Sequence, residues 1–129
     1  MLLLDEVVHV DDQHITCRKT FHADEFFVQG HYPNFPLVPG VVLCECAMQA
    51  GGVLLARKVD SNTGVPVATR MNNVKFRRMV RPGETVDIHV ELAEQLANAY
   101  FLKAKVQCEA KTAVQFEFAC ALVDVMKDL

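Results

Sequence analysis

The sequence predicts an α+β domain in which an antiparallel sheet with one apolar face curls around a single long helix. Three observations carry this. The run from Val41 to Ala56 is apolar almost all round, broken only by Glu45 and Gln49. Three successive segments after it alternate apolar and polar residues with period two. The chain has 129 residues, the length of one domain, 1–129. A helix that is hydrophobic on every side must be enclosed, and a sheet with one covered face supplies the enclosure. What the sheet leaves open on the helix is expected to be covered by another subunit.

Taken in order, Leu2 to Val10 reads as a first strand or a short helix–strand entry, and Asp11-Asp12-Gln13 as a turn. His14 to Phe21, rich in strand formers, pairs back on it. Residues 30–40 are loop, because Pro33, Pro36 and Pro39 fix φ and remove three backbone donors. Pro39 suits a helix N-terminus. The helix runs from Gly40 to about Lys58, with Arg57 and Lys58 in its last turn, where cations complement the dipole. Gly51-Gly52 inside it costs about 1 kcal/mol per residue relative to alanine. That cost implies a second backbone close by, for example another copy of the chain. Residues 59–65 form a loop, and the rest is sheet. Val86, Ile88, Val90 and Leu92 share one face, as do Tyr100, Leu102, Ala104, Val106 and Cys108, and then Val114, Phe116, Phe118, Cys120 and Leu122. Arg81-Pro82-Gly83-Glu84 is a turn before the first of these three.

Composition narrows the function. The net charge of −3 gives no general attraction to nucleic acid or to an anionic membrane. The apolar run, as a helix, spans about 24 Å and falls short of a hydrocarbon core of about 30 Å. The start, MLLLDEVVHV, lacks the basic flank of a secretory signal. Five cysteines make no spaced framework, which suggests reduced thiols and a cytoplasmic setting. Cys44 and Cys46 lie about 200° apart on a helix and cannot chelate one metal ion from there. They read as buried structural thiols.

The chemistry sits in 30-GHYPNFPLVPGVVLCECAMQAGG-52. Glu45 and Gln49 are four residues apart and form one polar stripe. A carboxyl enclosed among apolar residues favours its protonated form and can donate a proton to a leaving group. His31, held by the prolines, can take one. Together they can remove a proton from carbon and deliver one to oxygen, as dehydration of a 3-hydroxyacyl compound requires. The N–H of Gly40, at the helix start, is suited to hold the carbonyl oxygen on which charge develops. The plainer readings are a loop histidine with a backbone partner and a glutamate on a wet helix face. Lys75, Arg77, Arg78 and Arg81 form a basic cluster in an acidic chain: either a docking patch for an acidic partner or a solvated strand face.

The quoted run resembles the signature of the (3R)-hydroxyacyl-acyl carrier protein dehydratases of type II fatty acid synthesis, G-H-F-P-G-x-P-x-x-P-G-V followed by E-A-M-A-Q. The interval from His31 to Glu45 and the step to Gln49 both match. The stretch 74-VKFRRMVRPGETV-86 is similar to the family's F-R-R-P-V-x-P-G-D segment, and LLLDEV to its L-L-V-D-R-V. The resemblance implies a hotdog fold and a side-by-side homodimer, in which His31 of one subunit faces Glu45 of the other; it leaves a trimer of dimers open. It also implies an acyl chain carried on the phosphopantetheine of acyl carrier protein and lying in a tunnel near the helix, with no metal and no dissociable cofactor. Tyr32 and Asn34 replace a Phe and a Gly of the pattern, and Arg70 stands where the family has a glycine. Pro66, Val67 and Ala68 stand where it has aromatic residues that gate the tunnel. Two other readings are a hotdog thioesterase, with a helix carboxylate activating water, and a non-catalytic hotdog protein that binds acyl chains.

Overall fold

The structure is a computed structural model and describes residues 3–25, 37–59 and 64–124. The elements follow the chain as β1 (Glu6–Val10), β2 (His14–Thr20), α1 (Gly40–Ala56), β3 (Val65–Phe76), β4 (Thr85–Leu96), β5 (Ala99–Cys108) and β6 (Lys111–Val123). The strands make one six-stranded sheet in the order β1-β2-β4-β5-β6-β3, antiparallel at every step. The helix lies on one face of it, which is the predicted α+β arrangement.

The alternation in β4, β5 and β6 sets the core. Val86, Ile88, Leu102, Val106, Val114 and Phe118 are buried on the inner face. Leu43, Ala47, Ala50 and Leu54, spaced i, i+4, i+7 and i+11, bury the facing stripe of α1. Each large side chain enclosed there contributes about 1.5–3 kcal/mol. Gly51 brings the helix onto the sheet: a Cβ at that position would lie 2.6 Å from Cζ of Phe118. The close approach is therefore to a ring of the chain's own sheet, whereas the sequence suggested a second backbone. Gly52 has nothing within 4 Å of its Cβ direction.

Three boundaries differ from the sequence reading. Strand β1 begins at Glu6, because Leu3 leaves the sheet edge and buries itself against the core. The helix stops at Ala56, with Arg57 as its C-cap residue. The Arg57 guanidinium reaches away to donate to the Asp11 carbonyl at 3.1 Å, so its charge serves the β1–β2 turn. The third difference is β3, which starts at Val65 and takes in Arg70 within 12 residues. It is an edge strand, exposed along nearly its whole length, so no buried face imposes an alternation.

The β5–β6 turn carries local strain. Cys108 pairs with Lys111, which leaves Glu109 and Ala110 as the turn, at φ of 51° and 63°. Two-residue hairpins of this type prefer Asn and Gly, since left-handed backbone costs other residues about 1–2 kcal/mol. Ala110→Gly is expected to stabilise the protein by up to about 1 kcal/mol, read as a higher Tm with unchanged sheet content.

Two further contacts bear on the site. Lys19, buried at the end of β2, puts its Nζ 3.3 Å from Glu25 and 3.6 Å from Asp5. The turn at residues 81–84, in which Gly83 has φ of 92°, bonds to Phe21: Gly83 N–H donates to the Phe21 carbonyl at 2.6 Å, and Phe21 N–H to the Glu84 carbonyl at 3.1 Å.

Candidate active site

Helix α1 places three of the predicted residues. Pro39 is the N-cap, with φ −57° and ψ 137° and no side-chain cap. Gly40 opens the helix, where the first N–H groups have no acceptor within the helix. The ring of Phe76, from β3, rests on this point: a Cβ on Gly40 would lie 2.5 Å from Phe76 Cε1. Glycine here lets the edge strand touch the helix start.

Glu45 follows one turn later, and Gln49 one turn after that. The Gln49 side chain holds the two together. Its Oε1 accepts the backbone N–H of Leu3 at 2.7 Å, and its Nε2 donates to Glu45 Oε1 at 3.3 Å. The Leu3 contact settles which way the amide points, because a backbone donor requires the oxygen. The amide nitrogen is then left for Glu45. This orients one oxygen of the Glu45 carboxyl.

The described residues do not provide the enclosure predicted for Glu45. The residue is exposed, on a face of α1 that also shows Val41 at 72% and Val53 at 37% exposure. The reason is angular. The sheet covers the stripe through Leu43 and Ala47, and each of these is about 200° round the helix from Glu45. An apolar composition on all sides gave no indication of which side the sheet would take. Among the described residues, Glu45 lies on the wet-face side of the two readings.

His31 lies outside the described residues. The chain is described again from Leu37, and both Leu37 and Val38 are buried. Val38 N–H donates to the Val80 carbonyl at 2.8 Å.

The basic cluster divides. Lys75, Arg77 and Arg81 are exposed. Arg78 turns inward: Nη1 donates to the Cys108 carbonyl at 2.7 Å, and Nη2 to Glu84 Oε2 at 3.0 Å. Glu84 is held below the usual carboxylate range, chiefly by the Arg81 backbone N–H and further by the Cys108 thiol and Arg78. Burial, reinforced by the Glu84 carboxylate, pushes Cys108 up to about 11. Burial also pushes Cys46, beside Glu45, up to about 12. All five thiols are free and buried, and all are raised by desolvation. None offers an accessible thiolate at neutral pH.

Two cavities open on the sheet side away from α1. One, of about 690 Å³, is lined by polar side chains including His89, Lys105, Gln115 and Lys75. The other, of about 340 Å³, lies near Phe101 and Glu117. No residue of α1 lines either, so neither is the tunnel expected beside the helix. Among the described residues no three His, Cys, Asp or Glu side chains are grouped to hold a metal. Nor is any described helix long and apolar enough to cross a membrane.

Sequence reasoning missed three participants: Leu3, which fixes Gln49 through its main chain; Phe76, which covers Gly40; and Glu84, the centre of the turn beneath. Phe76 and Glu84 stand within the block 74–86 that carried the resemblance, but nothing in their residue types announces these contacts.

A family model described as ApeI-like, ApeI dehydratase, matches residues 7–119. A 3-hydroxyacyl-acyl-carrier-protein dehydratase FabZ of Rickettsia typhi is 35% identical over 127 residues, covering 97% of this chain and 88% of its own length. The same enzyme of Petrotoga mobilis is 34% identical over 116 residues, covering 90% and 83%. Among solved structures, the dehydratase heterocomplex ApeI:P from Xenorhabdus doucetiae matches with a TM-score of 0.78 at 19% identity, over 97% of this chain and 85% of that one. This last likeness is one of fold, the hotdog arrangement of sheet and helix.

Proposed function

The chain belongs to the ApeI-like dehydratase family, and on that premise we propose that it converts (3R)-3-hydroxyacyl thioesters of an acyl carrier protein to the trans-2-enoyl thioesters. His31 takes a proton from C2. The C3–O bond breaks as Glu45 gives its proton to the departing hydroxyl, and water leaves. The Gly40 N–H holds the thioester oxygen while charge builds on it. The step is redox-neutral and draws only on the chain's own acid and base.

The observation that carries this reading is the relay from Leu3 through Gln49 to Glu45. It presents one oriented carboxyl on the first turns of α1, at the interval from His31 that the family signature requires. The test is a spectrophotometric hydration assay over a ladder of trans-2-enoyl thioesters: loss of the enoyl absorbance is expected. Release of free thiol instead would favour the thioesterase reading, for which an open Glu45 is suited. Silence in both assays would favour a non-catalytic acyl-binding protein.

A second copy of the chain is the proposed cover for Glu45. The exposed apolar face of α1 and the edge of β3, unpaired among the described residues and exposing Val67, Met71 and Phe76, support a homodimer in which His31 of one subunit meets Glu45 of the other. The acyl tunnel then forms between the two chains. Whether these dimers build a trimer of dimers is read by sedimentation. The free thiols support a cytoplasmic location.

Lys75, Arg77 and Arg81 are the proposed docking charges for the acidic carrier. Arg78 is engaged internally, so reversing it would disturb the fold. Arg77→Glu with Arg81→Glu is expected to raise KM for carrier-bound substrate about ten-fold, with most of the effect lost at high salt. Turnover of a small pantetheine thioester is expected to stay near wild type. Equal KM values for the carrier-bound substrate would remove the docking role.

A further inference from the structure

We propose that Asp5 is a positioning residue for the Glu45 carboxyl, because its side chain fixes the backbone two residues from the Leu3 N–H that aims Gln49. This rests on Glu45 being the acid. Asp5 stands just before β1, in the LLLDEV stretch that carried part of the resemblance. Three consecutive residues of β2 hold it. Its N–H donates to the Arg18 carbonyl at 2.9 Å. Its Oδ1 lies 3.6 Å from Lys19 Nζ, and its Oδ2 accepts the Thr20 N–H at 2.7 Å. Lys19 is itself held in place: it is buried, with Nζ 3.3 Å from Glu25 and 5.6 Å from the centroid of the Phe21 ring. The Asp5 carboxylate therefore bridges a fixed cation and a main-chain donor, and only Leu4 separates it from Leu3.

Leu3 is held by two anchors of different kinds. Its side chain is buried in the core, and Leu4 packs against the same cluster. Apolar burial is non-directional, so it keeps a segment in place without setting which way its N–H points. The hydrogen bonds of Asp5 are directional and set the course of the backbone between the core and β1. From there the contacts run from Leu3 N–H to Gln49 Oε1 at 2.7 Å, and from Gln49 Nε2 to Glu45 Oε1 at 3.3 Å. Without the Asp5 carboxylate the Thr20 N–H loses this acceptor, the Leu3 N–H turns, and the Gln49 amide follows it. Lys19 keeps Glu25 as a counter-charge, so the fold persists. A misplacement of about 1 Å in a reacting group costs about 100-fold in rate, and a smaller one costs less.

The experiment compares Asp5→Ala and the milder Asp5→Asn with Glu45→Gln, each in the intact protein. For Asp5→Ala the expected result is a fall in kcat for enoyl hydration of about 10-fold, with KM changed less than about two-fold. Amide exchange at Leu3 should quicken about ten-fold relative to the core amide of Val106. The side-chain NH2 resonances of Gln49 should shift, while those of Gln95, bonded to Tyr100, stay in place. Asp5→Asn keeps an oxygen for the Thr20 N–H and loses the charge opposite Lys19. It should recover most of the activity, to within about three-fold of wild type, with the Leu3 exchange intermediate. If Asp5→Ala does not fold, the same readouts on Asp5→Asn decide. Wild-type kcat in the folded variants, unchanged Leu3 exchange, or a loss of activity that only follows the loss of folded protein overturns the proposal. Full activity in Glu45→Gln, or no hydration by the wild type, would instead overturn the reading on which it rests. Leu3 exchange is read without turnover, so the two failures are distinguishable.

Discussion

Glu45→Gln should leave the protein folded and lower kcat for enoyl hydration by about 100- to 10,000-fold, the range a positioned acid or base contributes. Glutamine keeps the shape and the oxygen that accepts from Gln49 Nε2, and it removes only the transferable proton. His31→Ala should cost as much by removing the proposed base at C2. The two variants together test more than either alone. Neither has a complete site in its own homodimer. If the dimer is shared as proposed, co-refolding them yields mixed dimers in which one of the two sites joins an intact His31 to an intact Glu45. Activity should then rise well above that of either parent, in proportion to the mixed species. No recovery, with mixed dimers demonstrated by mass spectrometry, would place both groups within one chain. Full activity of either single variant would end the assignment of that residue.

Phe118→Ala should destabilise the protein by about 3–5 kcal/mol, measured as a lower urea midpoint at constant m. The ring is 2% exposed, packs 5.6 Å from the Phe116 ring, and fills the hollow that Gly51 leaves in α1. Gly51→Ala attacks the same contact from the other side. Alanine gains helix propensity of about 1 kcal/mol, but its Cβ would sit 2.6 Å from the ring, and overpacking costs about 1–3 kcal/mol. The net effect should be destabilising. Combined with Phe118→Leu, which withdraws the ring edge, Gly51→Ala should cost less than the sum of the two, because the changes share one contact. Strict additivity would show that the helix and β6 do not meet there as described.

The parts of the fold that the sequence made legible are those with one covered face. Strands β4 to β6 alternate because the helix buries every second residue, and α1 stands out because its residues are apolar on nearly every side. Strand β3 was read as sheet but with no face assigned, because an edge strand exposed along its length obeys no period. The β5–β6 turn was hidden because Glu109 and Ala110 hold a backbone geometry that neither prefers. In the site, Gly40, Glu45 and Gln49 could be placed by helical spacing alone. The exposure of Glu45 could not, since composition does not say which side of a helix the sheet will cover. Nor could the inward turn of Arg78, because a string of cations looks the same whether each faces solvent or a carboxylate.

The donor that steers Gln49 is the main-chain N–H of Leu3. A scan that swaps side chains would pass over it, since nineteen of the twenty amino acids supply the same group and only proline withholds it. The aim of the Glu45 carboxyl is therefore insulated from drift at the residue that sets it, and hangs instead on the path the backbone takes at Leu3.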